Sequence, residues 1–214
     1  ENVENSALPD CINTYASEGY DIIFLSTNSY EEAALPITKD YPDTQFIIIN
    51  GQTTAGNVTS YAVADEDQGF MQGVVCAAVS ETDKVGFVAA MEITPMLNGR
   101  SGFEQGAKYI NEAVETSSVM VGSFTDVAAA KEMSKAMIDA GVDALAPMCD
   151  SAALGVVEAA EENGAYAAAS GEGQDTVAPN AVVCSVIKDT SIVYEQAYKD
   201  FLAGKLTGDT GVLQ

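Results

Sequence analysis

The residues best placed to do chemistry in this chain are polar side chains that directly follow short apolar runs. They are Ser26-Thr27-Asn28-Ser29-Tyr30, Asn50-Gly51-Gln52, Met91-Glu92, Asp150-Ser151 and Ser170-Gly171-Glu172-Gly173-Gln174. Hydroxyls, amides, carboxylates, a phenol ring and a thioether suit hydrogen bonding and stacking on a neutral polar ring system better than bond breaking. None of the 214 residues is histidine, which removes the commonest general base, the Ser-His-Asp arrangement and most zinc or iron sites. No phosphate-cradling glycine loop, nucleophile elbow or HExxH string occurs. Asp65-Glu66-Asp67 could act as acid and base or hold a metal, yet it opens a helix, where carboxylates gain about 0.3–1 kcal/mol from the helix dipole. Glu31-Glu32 and Glu161-Glu162 read as solvated faces. The sequence therefore calls for no metal and no cofactor, and an enzyme built on carboxylates or lysine is the remaining catalytic alternative.

Strands that alternate with helices must position those polar residues. Helical periodicity is expected over 6–18, 31–39, 65–80, 97–113, 127–140, 152–162 and 191–202, and strands over 21–25, 45–49, 58–64, 84–90, 119–124, 144–148, 165–169 and 181–187. Continuous apolar runs such as Phe46-Ile-Ile-Ile49 indicate strands covered on both faces, as in parallel sheets. The alternation predicts a doubly wound α/β architecture with right-handed crossovers, and ligands of such sheets bind outside the carboxyl ends of the strands. Gly69 and Gly73 share one face of their helix and permit close packing. The polar break Glu81-Thr82-Asp83 is the expected boundary between two βα groups.

Composition narrows the partners. With 32 acidic against 9 basic residues the formal net charge is −23, a field that repels a nucleic-acid backbone and favours a neutral or cationic small molecule. No run reaches the roughly 18–20 apolar residues of a membrane helix, and a DNA-binding regulator would need a basic helix-turn-helix that the chain lacks. Four well-separated cysteines, Cys11, Cys76, Cys149 and Cys184, form no zinc-type pair and read as small buried hydrophobes. A Cys149–Cys184 disulfide is the alternative.

A series of strings, in order along the chain, resembles one family: Gly19-Tyr-Asp-Ile-Ile23, Lys39-Asp-Tyr-Pro-Asp43, Phe46-Ile-Ile-Ile49, Asp67-Gln-Gly-Phe-Met-Gln-Gly73 and Lys84-Val-Gly-Phe-Val88 with Met91. Gly102-Phe-Glu-Gln-Gly-Ala-Lys108, Gly122-Ser-Phe124, Leu154-Gly-Val156 with Ala159-Ala160, and Ser185-Val-Ile-Lys188 continue it. By these the chain is similar to the basic membrane protein (PnrA-like) family of ABC-transporter substrate-binding lipoproteins.

That resemblance implies a type I periplasmic-binding-protein fold of two doubly wound lobes joined by a hinge. It implies a first lobe over 1–82, a second over 83–185 and a return to the first over 186–214. The family's first strand and helix, with ligand-contacting Asp and Asn, would precede Glu1, and further sequence would follow Gln214, so the chain is expected to be incomplete at both termini. The implied function is that of an extracytoplasmic solute-binding protein, a cell-surface or periplasmic lipoprotein that hands a purine nucleoside or similar small molecule to an ABC permease. A ligand-sensing receptor or regulator on the same fold is the alternative.

The resemblance also assigns ligand positions. Tyr30 matches an aromatic that stacks on a base, Lys188 matches the lysine of an SVxK string, and Phe70 and Met91 match as well. Gly171 stands where the family often has a ribose-binding Asp, with Glu172 beside it. Asn28 replaces a Phe of nucleoside binders, and Asp150-Ser151 replaces a Gly-Gly pair. Asn50 joins the set from its strand-end loop. For Lys188 a salt bridge to a surface carboxylate is the alternative role.

Overall fold

The computed structural model describes residues 3–4, 6–206 and 210–213, the last four through their backbone alone. The chain divides into two compact units, 1–64 with 189–214, and 65–188.

In the first unit, α1 (Leu8–Ser17), β1 (Ile22–Leu25), α2 (Glu31–Thr38), β2 (Gln45–Ile49) and β3 (Val58–Val63) follow in order. The second unit supplies α3 (Asp65–Val79), β4 (Lys84–Ala89), α4 (Thr94–Ile110), β5 (Glu115–Met120), α5 (Val127–Asp139) and β6 (Ala144–Met148). It continues through α6 (Ala153–Asn163), β7 (Tyr166–Ser170) and β8 (Val182–Val186), after which α7 (Ser191–Leu202) and β9 (Thr210–Leu213) return to the first.

The first unit's sheet has the order β1-β2-β3-β9, parallel throughout. Alternation along β2 sends Phe46 and Ile48 to one face, against Leu8 and Ile12 of α1, and Ile47 and Ile49 to the other, against Val193 and Ala197 of α7. Both faces are dry, which is why β2 reads as an unbroken apolar run. The second unit's sheet has the order β5-β4-β6-β7-β8, again parallel. Here α3 and α4 cover one face, through Cys76 and Phe103 on Phe87 and Ala89, while α5 and α6 cover the other, through Ala130, Val156 and Val157 on Val88 and Leu145. The order reverses between β4 and β6, and such a switch point opens a crevice at the strands' carboxyl ends.

The first boundary differs from the sequence-based expectation: the division falls before α3, at Ala64–Asp65, and not at Thr82. Glycines are the reason. A Cβ on Gly69 would lie 1.9 Å from the Gly99 carbonyl oxygen, and one on Gly102 would lie 2.0 Å from that of Glu66. Gly73 and Gly106 meet the carbonyls of Phe103 and Phe70 in the same way. Backbone-to-backbone contact of this closeness binds α3 to α4 and hence to the second unit. The polar stretch near Thr82 is instead a tight loop. The Asp143 carboxylate accepts from Ser80 Oγ at 2.5 Å and from the Glu81 and Thr82 amides at 2.7 and 2.9 Å. Burial opposes the charge on Asp143, but these donors outweigh it and hold its carboxyl below the usual range. The second division, at Lys188–Asp189, falls slightly later than the expected 185/186.

Candidate functional site

On the second unit the carboxyl ends of β6, β7 and β8 and the start of α3 surround a recess of about 510 Å³. Met96, Met148, Leu154 and Ile187 give it apolar walls. Its polar side is built from α3 outward. Gln68, only 7% exposed, donates its Nε2 to Ser170 Oγ at 2.8 Å. Gln174, equally buried, donates its own Nε2 to the Ser170 carbonyl at 2.6 Å, and its Oε1 has no partner among the described residues.

Asp65 opens α3 and lies almost wholly buried, with its carboxylate receiving Lys188 Nζ at 2.5 Å. Burial pushes its carboxyl above the ordinary value and Lys188 partly offsets that. These two residues are the first and last of the second unit, so the ion pair ties together the two places where the chain passes between units. Neither role foreseen for Lys188 describes it fully, because Lys188 lines the recess while its partner carboxylate is buried rather than at the surface. Asp65, read from sequence as a helix-opening charge, is that partner. Asp150 adopts φ +47°, a left-handed conformation that glycine takes freely and Asp tolerates at some cost. Its carboxylate and that of Glu172 stand exposed at the rim.

Of the eight residues predicted as ligand contacts, the structure brings Gly171, Glu172 and Lys188 together in this recess. Met91 follows β4, 41% exposed, and does not line it. Phe70 lies away from it, its ring centroid 5.9 Å from that of Tyr109 and its carbonyl against Gly106, which makes it part of the α3–α4 contact. Asn28, Tyr30 and Asn50 belong to the first unit. Asn28 starts a single helical turn after β1, and Tyr30 packs on the first core with its hydroxyl donating 2.7 Å to the Val3 carbonyl. Asn50 follows β2 at φ +57°, its backbone N–H donating to the Tyr61 carbonyl at 2.6 Å and its buried Oδ1 unpartnered among the described residues. Glu31 at the start of α2 accepts from the amides of Gln52 and Thr53, which fixes the loop after Asn50.

Sequence reasoning missed Gln68 and the partnership of Asp65. A signal existed: Asp65, Gln68 and Gln72 fall at i, i+3 and i+7, one stripe of α3, and that stripe is buried. Polar residues on the core-facing side of a helix need partners. Gln72 Nε2 finds them in the carbonyls of Pro147 and Ala168, at 3.0 and 2.9 Å, while its Oε1 has none among the described residues.

The cysteines are free thiols. Cys149 packs on the α5–α6 face of the sheet and Cys184 on the α3–α4 face, so the Cys149–Cys184 bond is not formed. Burial pushes the Cys149 thiol up to about 12.

Parallel, doubly wound units with a polar recess at the strand ends are the architecture of periplasmic solute-binding proteins of the type I fold. A solute-binding protein of an ABC transporter system from Aeropyrum pernix superposes with a TM-score of 0.81 over 99% of this chain and 63% of its own, at 22% identity. The chain belongs to the PnrA-like family of ABC transporter substrate-binding proteins, whose model matches residues 1–212. Family and fold are those of substrate-binding proteins rather than enzymes. The chain is 28% identical to the transcriptional activator protein Med of Bacillus subtilis over 96% of this chain and 66% of that protein. It is 26% identical to a purine-binding protein of Brucella abortus over 95% of this chain and 58% of that one. It thus spans at most about two thirds of the length of these relatives. No helix among the described residues is long and apolar enough to cross a membrane.

Proposed function

We propose that the chain is the ligand-binding part of an extracytoplasmic, membrane-anchored substrate-binding protein that delivers a purine nucleoside or related small polar molecule to an ABC permease. The observation that carries this reading is the recess at the switch-point end of the second sheet, where Gln68, Ser170, Gln174 and Lys188 stand beside methionine and aliphatic walls. Its volume of about 510 Å³ lies within the range of about 300–1,000 Å³ typical of small-molecule sites. The family supports the transport role, and a relative named as purine-binding supports the ligand class. The chain crossings at Ala64–Asp65 and Lys188–Asp189 are the proposed hinge. Calorimetry with adenosine, guanosine, glucose and an amino acid tests the ligand class. Heat from the nucleosides is expected, and tight sugar binding without purine heat overturns it.

A relative named as a transcriptional activator favours a second reading, a ligand-sensing regulator on the same fold. Co-purification from membranes with a permease separates the two, since a regulator has no such partner.

A further inference from the structure

The sheet of the second unit splits at the mouth of the recess, and a proline starts the split. β6 stays paired with β4 as far as Met148, and β7 with β8 as far as Ser170. With each other, β6 and β7 pair only where Ala144 faces Tyr166 and Leu145 faces Ala167. The Tyr166 N–H donates to the Asp143 carbonyl at 2.8 Å, and the bonds of a parallel ladder repeat at every second residue. The N–H that would reach the Ala168 carbonyl therefore belongs to residue 147, and Pro147 has none. Beyond that missing rung, Met148 and Asp150 from the end of β6 and Ser170 and Glu172 from the end of β7 line the recess. Gln72 sits at the fork. Wholly buried on α3, it donates Nε2 to the Pro147 carbonyl at 3.0 Å and to the Ala168 carbonyl at 2.9 Å, one on each diverging strand. An amide nitrogen carries two hydrogens, one for each carbonyl. The side chain thus gives Ala168 the donor that Pro147 lacks and spans the gap between the strands.

We propose that Gln72 is a positioning residue of the solute recess, its amide wedged between β6 and β7 so that it holds their carboxyl ends apart and sets the width between them. This rests on the recess being the solute site. Any donor can satisfy a stranded carbonyl, whereas keeping two strands at a fixed separation takes a group that lies between them and bonds to both. A backbone N–H at position 147 would do the first and undo the second. It would zip β6 to β7 by a further rung and bring the residue 147 carbonyl to the Ser170 N–H.

The test compares the full chain with its Gln72→Met, Pro147→Ala and Gln72→Met/Pro147→Ala variants by melting, by calorimetry with adenosine and by hydrogen exchange at the Ser170 amide. Gln72→Met is expected to melt lower than the wild type, and the added Pro147→Ala to restore much of that loss by supplying Ala168 with a donor. Affinity should not follow stability. The double variant is expected to bind adenosine at least about tenfold more weakly than Pro147→Ala alone, because a recess no longer held open must reorganise to admit the solute. Exchange at Ser170 should slow as its N–H joins the ladder. Asp143→Ala, at the amino end of β6, controls for a general loss of stability and should bind as the wild type does. A double variant that binds adenosine as tightly as Pro147→Ala shows that Gln72 only satisfies a carbonyl, and overturns the proposal. Absence of heat from adenosine in every chain sinks the purine reading, and exchange at Ser170 then decides alone. Slower exchange in the double variant supports the wedge, and unchanged exchange overturns it.

Discussion

An ammonium that rests on a buried carboxylate leaves a costly orphan when it is removed. Asp65 is 6% exposed, and its partner Lys188 keeps about a quarter of its side chain in solvent. Breaking a fully buried pair costs about 3–5 kcal/mol and an exposed one about 0–1. Lys188→Met is therefore expected to lower unfolding free energy by about 1–3 kcal/mol even without ligand. That differs from a lysine serving only the solute, whose loss would leave apo stability unchanged. The sign of the pH dependence follows from Asp65. Burial raises its folded value above 3.8, so its contribution to stability is present below the ordinary carboxylate range and is lost as pH rises through the raised value. Removing Lys188 raises that value further. The mutant's deficit in urea titrations should be large near pH 7 and shrink toward about pH 4, and Asp65→Asn in the same background should restore most of it. A deficit independent of pH would place the loss in packing instead. Sequence made Lys188 visible because it is one of 9 basic residues. It hid Asp65 because an acidic residue at a helix start has an ordinary explanation, and only the burial of Gln68 and Gln72 on the same stripe exposes the network.

Elements were legible wherever burial wrote a period into the sequence. Runs such as β2 and β6, buried on almost every residue, carried it plainly. The edge strand β5 did not: Glu115–Met120 is half solvated and polar, whereas apolar Val119-Met-Val121 drew the expected strand toward 119–124. Polar edges resist sheet-to-sheet pairing, and that same protection erases the periodic signal. β9, four residues near the end of the chain, was not anticipated. The glycines of α3 were read correctly as a close-packing face, yet not as the device that assigns the helix to the second unit. Gly102→Ala measures its strength. Helix propensity alone favours the change by about 1 kcal/mol, but the new methyl would meet the Glu66 carbonyl at 2.0 Å, and backbone cannot yield as a flexible side chain does. Overpacking costs about 1–3 kcal/mol or more, so a net loss of stability in urea titrations is expected, and a gain would show that the helices separate freely. The loop after α3 makes a companion case. Asp143 is held below its ordinary range, so its stabilisation is present at neutral pH and is lost as pH falls through the lowered value. Asp143→Ala should cost about 1–3 kcal/mol at neutral pH and less once the pH lies below the lowered value. Equal costs at both would remove the carboxylate's charge from the account.

At the scale of the whole molecule, charge bears on which ligands the proposed site would admit. A net charge of −23 on 214 residues places an approaching anion in a repulsive field from first encounter, and the carboxylates of Asp150 and Glu172 repeat that sign at the recess. Against them stands Lys188, already neutralised by Asp65. A basic pocket strong enough to override the field is absent among the residues that line the recess. A nucleoside monophosphate, about two charges more negative than its nucleoside at neutral pH, gains the same stacking and the same base hydrogen bonds, and so isolates the electrostatic contribution. The protein is expected to bind adenosine at least about tenfold more tightly than adenosine monophosphate at low ionic strength, which is about 1.4 kcal/mol. The Debye length falls from about 30 Å at 0.01 M salt to about 8 Å at 0.15 M, so the distant charges drop out first and the gap should narrow with added sodium chloride without closing. What persists at high salt belongs to the rim, and should disappear in an Asp150→Asn/Glu172→Gln variant. A monophosphate that binds as well as its nucleoside at low salt would show that a cationic contact outweighs the field of the chain.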